Sequence, residues 1–311
     1  MEIPMFVVDA FTNLPFKGNP AAVCLLKHEL PDKVYQEIAM EMNLSETVFI
    51  TTIKPSKDFT NDSRFQLRWF TPTTEVNLCG HATLASAAVL FKHKKNVNSA
   101  VVFETRSGDL TVVPRGEVLV MDFPLNPPTK QTPDDFETLI KVSETNISRS
   151  RLLFFISCIH VSLFQAAVGN HPVQDVYYST STKKLLLRLS DSCDRSVLTS
   201  LQVNPETLLS SDQSGQVKGL IVTVKGSSDH QSGYDFFSRY FAPWNGIPED
   251  PVTGSAHTVL GSYWSEKLGK RKMLAFQCSR RGGELEVEVR EDGRINIAGK
   301  SVTVLQGTIT L

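Results

Sequence analysis

The chain has 311 residues, 41% of them hydrophobic and 21% charged, with a formal net charge of -1. That length suits two ordinary domains, each with its own core. The near-zero charge gives no bulk attraction to nucleic acid or to an anionic membrane, and no run reaches the roughly 18 apolar residues of a spanning helix. Five cysteines (Cys24, Cys79, Cys158, Cys193 and Cys278) lie far apart without a C-x-x-C pair. This spacing argues against a disulfide framework or a zinc site. The N-terminus has no basic leader, so the expected compartment is the cytoplasm.

In chain order, Met5–Ala10 is β-branched and reads as a strand. Phe11–Pro20 is turn chemistry around Gly18-Asn19-Pro20, and Ala21–Leu26 is a second strand. Pro31 opens a helix to Met42 with Val34, Ile38 and Met42 at helical spacing. Asn43-Leu44-Ser45-Glu46 then leads into the strand Thr47–Ile50, placing Glu46 at a loop-to-strand junction. Phe65–Phe70 is the next strand, stopped by Pro72. After Cys79-Gly80 comes a helix that is apolar almost all round, as a buried helix must be. Strands follow at Ala100–Phe103 and Leu110–Val113. A similar helix, Ser255–Leu268, is followed by strands at Met273–Gln277 and Leu285–Val289. The pattern is α+β, with strands gathered around one central helix in each half.

The segment Val142–Gln165 stands apart. Its apolar part, Leu152–Phe164, is too short to cross a bilayer. One reading is a buried element of the second half. The other is a retained in-frame intron, since Val-Ser can be encoded by GTAAGT and Phe-Gln by TTTCAG. Without it, Asp134–Lys141 would run into Ala166-Ala167-Val168-Gly169 as one helix ending at a Gly-Asn cap.

Two stretches repeat. Arg68-Trp69-Phe70-Thr71-Pro72, Glu75 and Gly80 are matched by Arg239-Tyr240-Phe241-Ala242-Pro243, Glu249 and Gly254. Arg106-Ser107-Gly108 is matched by Arg281-Gly282-Gly283. The copies keep one order and are separated by 171 to 175 residues. That period is too long for a solenoid and means a duplicated domain. The expected division is residues 1–118, joined by the last strand 302–311, and residues 119–301, carrying the insertion at 142–165. The connection between halves is placed near Gly116–Met121.

Each copy sets a Gly at the start of its buried helix. A helix start offers unpaired N–H groups and partial positive charge, and Gly lets a ligand approach the backbone. Two such starts facing one cleft between the halves point to a small carboxylate substrate. His81, Asp250 and Glu46 are the polar groups near them, and a carboxylate with a histidine suits proton transfer at carbon. Each also has a structural reading: Glu46 as a cap or surface residue, Asp250 as a turn residue before Pro251, His81 as a hydrogen-bonded core histidine.

Together these motifs resemble the PhzF family of phenazine-biosynthesis proteins, in particular its animal branch of phenazine-biosynthesis-like-domain or MAWD-binding proteins. The matching residues are Asp9-Ala10-Phe11, Gly18–Val23, Asn43–Thr47, Arg68–Pro72, Leu78–Thr83 and Glu249–Ala256. They cover the chain apart from Val142–Gln165. The resemblance implies two pseudo-symmetric diaminopimelate-epimerase-like domains, a cofactor-free and metal-free isomerase, and a homodimer. It implies Glu46 as the proton-shuttling acid/base, with His81 and Asp250 in support. Asn19, Ser45, Gly80, Ala82, Gly254 and Ser255 are then the substrate-binding residues. The animal branch also implies a WD-repeat partner, and with it an alternative role as a regulatory binding protein. Racemases of the wider superfamily use a thiol at each helix start. Here Cys79 precedes Gly80, but Thr253 precedes Gly254, which favours one-base chemistry over racemisation.

Overall fold

The structure, a computed structural model, describes residues 1–54, 58–131, 163–226 and 233–311. Residues 142–162 of the anomalous segment, and the helix read at 134–141, lie outside the described residues. Residues 163–168 are helical and end at Gly169, whose φ of 57° is the left-handed geometry of a C-cap.

The chain forms two compact units that do not follow the sequence halves. The first comprises Met1–Leu125, Val252–Gly261 and Arg281–Leu311; the second comprises Asn126–Pro251 and Ser262–Arg280.

The first unit contains β1 (Glu2–Ala10), β2 (Asn19–Leu26), α1 (Asp32–Met42), β3 (Glu46–Thr52), β4 (Arg64–Phe70), β5 (Glu75–Val76), α2 (Gly80–Ala88), β6 (Val101–Thr105), β7 (Gly108–Arg115) and β8 (Val118–Pro124). Residues Gly116–Met121, read from sequence as a connection, form the turn of the β7–β8 hairpin and the first part of β8. Three late strands join this unit: β15 (Gly283–Val289), β16 (Arg294–Gly299) and β17 (Ser301–Thr310). The ladder order is β17–β1–β2–β3–β4–β6–β7–β8–β16–β15. The pairs β2–β3 and β4–β6 are parallel, as strands joined through a helix can be. All nine residues of α2 are buried, and the helix packs against β1, β2, β3, β8 and β17. Its small residues allow this close approach. Its two hydroxyls are satisfied internally, Thr83 Oγ1 donating to Cys79 O (2.6 Å) and Ser86 Oγ to Ala82 O (2.7 Å).

The second unit contains β9 (Thr129–Lys130), β10 (Val173–Ser179), β11 (Lys184–Leu189), α3 (Arg195–Ser200), α4 (Pro205–Ser211), β12 (Gly219–Lys225), β13 (Phe236–Phe241) and β14 (Lys272–Gln277). Its order is β9–β10–β11–β12–β13–β14, with β11–β12 and β13–β14 parallel. Helix α5 (Gly254–Leu268) contributes residues to both units.

Duplication is written into the ladders. The run β1–β2–β3–β4–β6 alternates antiparallel, parallel, antiparallel, parallel, and β10–β11–β12–β13–β14 does the same. The repeated Arg and Glu form the same fork in each copy. Arg68 Nε and Nη2 donate to Glu75 at 2.8 Å each; Arg239 donates to Glu249 at 2.7 and 2.9 Å. Among the described residues, no helix is long and apolar enough to cross a membrane.

Candidate active site

The site is built on a stapled loop. After β1 the chain turns through Phe11, Phe16 and Gly18, all at positive φ (62°, 66° and 63°). Such a conformation is costly for phenylalanine and has to be held from outside. Here Glu284 N–H donates to Phe11 O (2.9 Å) and Gly18 N–H to Gly282 O (2.8 Å). Arg281 donates from Nε to Gly18 O (2.8 Å) and from Nη2 to Asp9 Oδ1 (2.7 Å), while Phe16 N–H donates to Asp9 Oδ2 (2.7 Å). At Gly18 a side chain has no room, since a Cβ would lie 2.1 Å from Ala10 O. The Asp-Ala-Phe and Gly-Asn-Pro motifs are therefore a clasp whose product is a fixed Asn19 at the head of β2.

Asn19 is fully buried and joins three elements. Its Nδ2 lies 3.0 Å from Val252 O and 3.1 Å from His81 Nδ1, and its Oδ1 accepts from Ser45 Oγ (3.1 Å). His81 sits in the first turn of α2, beside Cys79 at the N-cap, whose Sγ is 3.3 Å from Nδ1. On the far side of the ring, Nε2 lies 3.0 Å from Oε2 of Glu46, the first residue of β3. Glu46 and His81 are 6% and 3% exposed, and neither facing atom has an aligned hydrogen-bond partner among the described residues. Two buried polar atoms left so are an exception that calls for a ligand or a function.

Burial works against a charged His81 ring, but negative charge at Cys79 and Glu46 outweighs it and raises the histidine well above its ordinary range. The Cys79 part of that pull requires a thiolate. Burial and the Glu46 charge push this thiol up to about 11, so near neutral pH the thiol is neutral, the larger part of that pull is absent, and burial keeps the ring neutral. His257, equally buried on α5, shows the opposite shift. Burial lowers it to about 4, against the favourable bond from Nδ1 to Thr253 O (2.8 Å).

Glu46, Cys79 and His81 offer atoms within 4.8 Å of one another, a set that could interest a metal ion. They do not converge. Cys79 meets Nδ1 and Glu46 meets Nε2, on opposite sides of the ring, whereas one ion takes a single imidazole nitrogen. The trio has the form of a relay.

The two helix starts lie side by side. A Cβ on Gly80 would sit 3.4 Å from the Gly254 Cα, and one on Gly254 would sit 3.5 Å from the Gly80 Cα. The N-cap of α2 makes no side-chain hydrogen bond, so its first N–H groups lack a side-chain cap. Ala82 and Ser255 occupy the first turns of α2 and α5. Of the residues singled out in sequence, the first unit thus gathers Asn19, Ser45, Glu46, Gly80, His81, Ala82, Gly254 and Ser255.

Asp250 belongs to the second unit. Its N–H donates to Tyr240 O (3.0 Å) and its carbonyl accepts from Gln277 Nε2 (2.7 Å). Sequence reasoning missed its neighbour Lys184, which is 8% exposed with Nζ 5.8 Å from the centre of the Tyr240 ring. Burial lowers this ammonium to about 8, against the favourable charge of Asp250. The signal was legible: a lysine opening the leucine-rich run Lys-Leu-Leu-Leu-Arg-Leu, all six residues of which are buried.

An α+β protein with duplicated ladders and paired glycine helix starts is of the diaminopimelate-epimerase-like class. The chain belongs to the PhzC-PhzF family of phenazine biosynthesis-like proteins, whose family model matches residues 8–307. Phenazine biosynthesis-like domain-containing protein 1 of Mus musculus is 54% identical over 311 residues, covering 100% of both chains. A Halalkalibacterium halodurans protein named as an uncharacterized isomerase is 40% identical over 312 residues, again covering 100% of both. The crystal structure of a PhzF-family protein from Enterococcus faecalis superposes with a TM-score of 0.79 at 35% identity and covers 100% of both chains.

Proposed function

We propose that this protein is a cofactor-independent isomerase that moves a proton, and with it a double bond, within a small carboxylate-bearing metabolite. Glu46 takes the proton from carbon and returns it on the same face; His81 holds and polarises Glu46. The paired starts of α2 and α5 receive the substrate carboxylate and the negative charge that develops on proton removal. The observation that carries this reading is the buried approach of Glu46 Oε2 to His81 Nε2 at 3.0 Å without hydrogen-bond alignment. That pair is held in place and still has bonding capacity for a ligand. The isomerase name of the bacterial relative agrees with it. Thr253, standing before Gly254 where Cys79 stands before Gly80, supports one base over a pair of thiols.

The test is solvent deuterium incorporation into a panel of unsaturated and cyclic carboxylic acids. Wild-type protein is expected to label at least one acid, and Glu46→Gln to lose at least about 10²-fold of that rate. Labelling that survives in Glu46→Gln, or product of inverted configuration, overturns the assignment.

A further inference from the structure

We infer that Asn19 is a positioning residue that fixes the tautomer of His81, holding the ring proton on Nε2, toward Glu46. Val252 O is a backbone carbonyl and can only accept, so the Asn19 amide end 3.0 Å from it must be the NH2 group. The opposite orientation would set two acceptors against each other. The hydroxyl of Ser45 is compatible with this orientation, donating to Asn19 Oδ1 at 3.1 Å.

With the amide so fixed, its second N–H points at His81 Nδ1, 3.1 Å away. A nitrogen that receives an N–H has to present a lone pair. Cys79 adds to this, because a thiol kept protonated by burial meets the same nitrogen at 3.3 Å as a donor. Nδ1 is thus an acceptor twice over, and the proton of a neutral ring belongs on Nε2. The neutral ring carries one proton, and the donors around it leave that proton one nitrogen to occupy. The consequence is directional: the one donor a neutral His81 ring can offer lies on the Glu46 side, 3.0 Å from Oε2.

This inference uses the proposed function only for its effect on turnover, because the tautomer is read without substrate. The measurement is 15N NMR of the histidine ring nitrogens in uniformly labelled protein, with His81 assigned by its loss in His81→Gln. In wild type, Nδ1 is expected in the range of an unprotonated imidazole nitrogen and Nε2 in the protonated range. Asn19→Asp keeps the shape but offers Nδ1 only an acceptor, so the two signals should exchange, and any labelling activity should fall about 10²-fold. Cys79→Ala removes the thiol and leaves the amide; it is expected to keep Nδ1 unprotonated. A wild-type spectrum with Nδ1 protonated, or a tautomer that follows Cys79→Ala, overturns the inference even if Asn19→Asp does not fold. Should the spectra behave as expected while no acid is labelled, the tautomer assignment stands and the isomerase reading falls.

Discussion

Gly219 holds in the second sheet the ladder position that Glu46 holds in the first. Thr47 pairs with Phe70, and Leu220 pairs with Phe241, the matching phenylalanine of the repeat; Glu46 and Gly219 each come one residue earlier. Across the parallel ladders, Ala21 faces Glu46 and Lys184 faces Gly219. Duplication has therefore kept the frame and dropped the carboxylate. The vacated space is filled, since a Cβ on Gly219 would lie 2.1 Å from the Tyr240 hydroxyl. One copy carries the buried Glu46 side chain and the other a tyrosine.

Gly219→Ala is expected to lower stability by about 1–3 kcal/mol, because the buried Tyr240 ring has to yield to the new methyl. The midpoint of denaturant unfolding measures this. An unchanged midpoint would mean that Tyr240 swings aside freely and the filled space is of no consequence.

His257 gives stability an acid-side slope. Its folded-state value of about 4 is below the unfolded imidazole at 6.5, so in between the unfolded chain takes up a proton that the folded one refuses. This contribution is complete above 6.5 and is lost as pH falls toward 4. Between about pH 7 and about pH 5 the loss from this one group is on the order of 2 kcal/mol. His257→Gln should remove that part of the slope in paired unfolding curves; parallel slopes for the two proteins would refute it.

Thiol chemistry offers a third check. Cys24, Cys79, Cys193 and Cys278 are all buried, and burial pushes Cys24 up to about 12 and Cys79 and Cys278 up to about 11. In the native protein near neutral pH these four should react with a thiol reagent at least about 10²-fold more slowly than in denaturant, followed peptide by peptide. Fast labelling of Cys79 alone would favour a nucleophilic thiol at the helix start and the racemase alternative.

The Arg239 fork should outweigh a surface ion pair. Besides Glu249, Arg239 Nη1 donates to Leu198 O (3.2 Å) and Leu201 O (2.7 Å), so one guanidinium ties β13 to the end of α3. Arg239→Lys cannot make these bonds at once and is expected to cost about 2–4 kcal/mol. A loss below about 0.5 kcal/mol would place it with ordinary surface pairs.

Much of the first unit was legible in sequence, and for physical reasons. The Ala-rich helix after Gly80 had no polar face, so it had to be buried. Glu46 stood where turn residues gave way to β-branched ones, and it opens β3. Strands β10 to β12 were not read. In β11 and β12, runs of Leu, Ile and Val are buried on both faces, which erases the two-residue alternation; β10 has polar Gln174 and Asp175 in place of a hydrophobic run, and the short helices α3 and α4 carry too few turns to show a period. Compact units that interleave the two ends of the chain left no local trace either, because strand pairing across hundreds of residues depends on partners that no sequence window contains. Asn19 was legible as part of a motif. Its hydrogen bonds to His81 and to the Val252 carbonyl were not, since they join positions 62 and 233 residues apart.

The clasp around Asn19 also sets an order of events at the ribosome. Arg281 grips Gly18 and Asp9 across 263 and 272 residues, and β1 completes its ladder only with β17. A nascent chain that has released its amino-terminal motifs still lacks the arginine and the strand that shape them, and β1 must wait through most of synthesis with one edge unpaired. Truncation before Arg281 should therefore yield a chain that chaperones retain, while a single proteolytic nick in an exposed loop of the folded protein, which leaves Arg281 and β17 in place, should be far better tolerated.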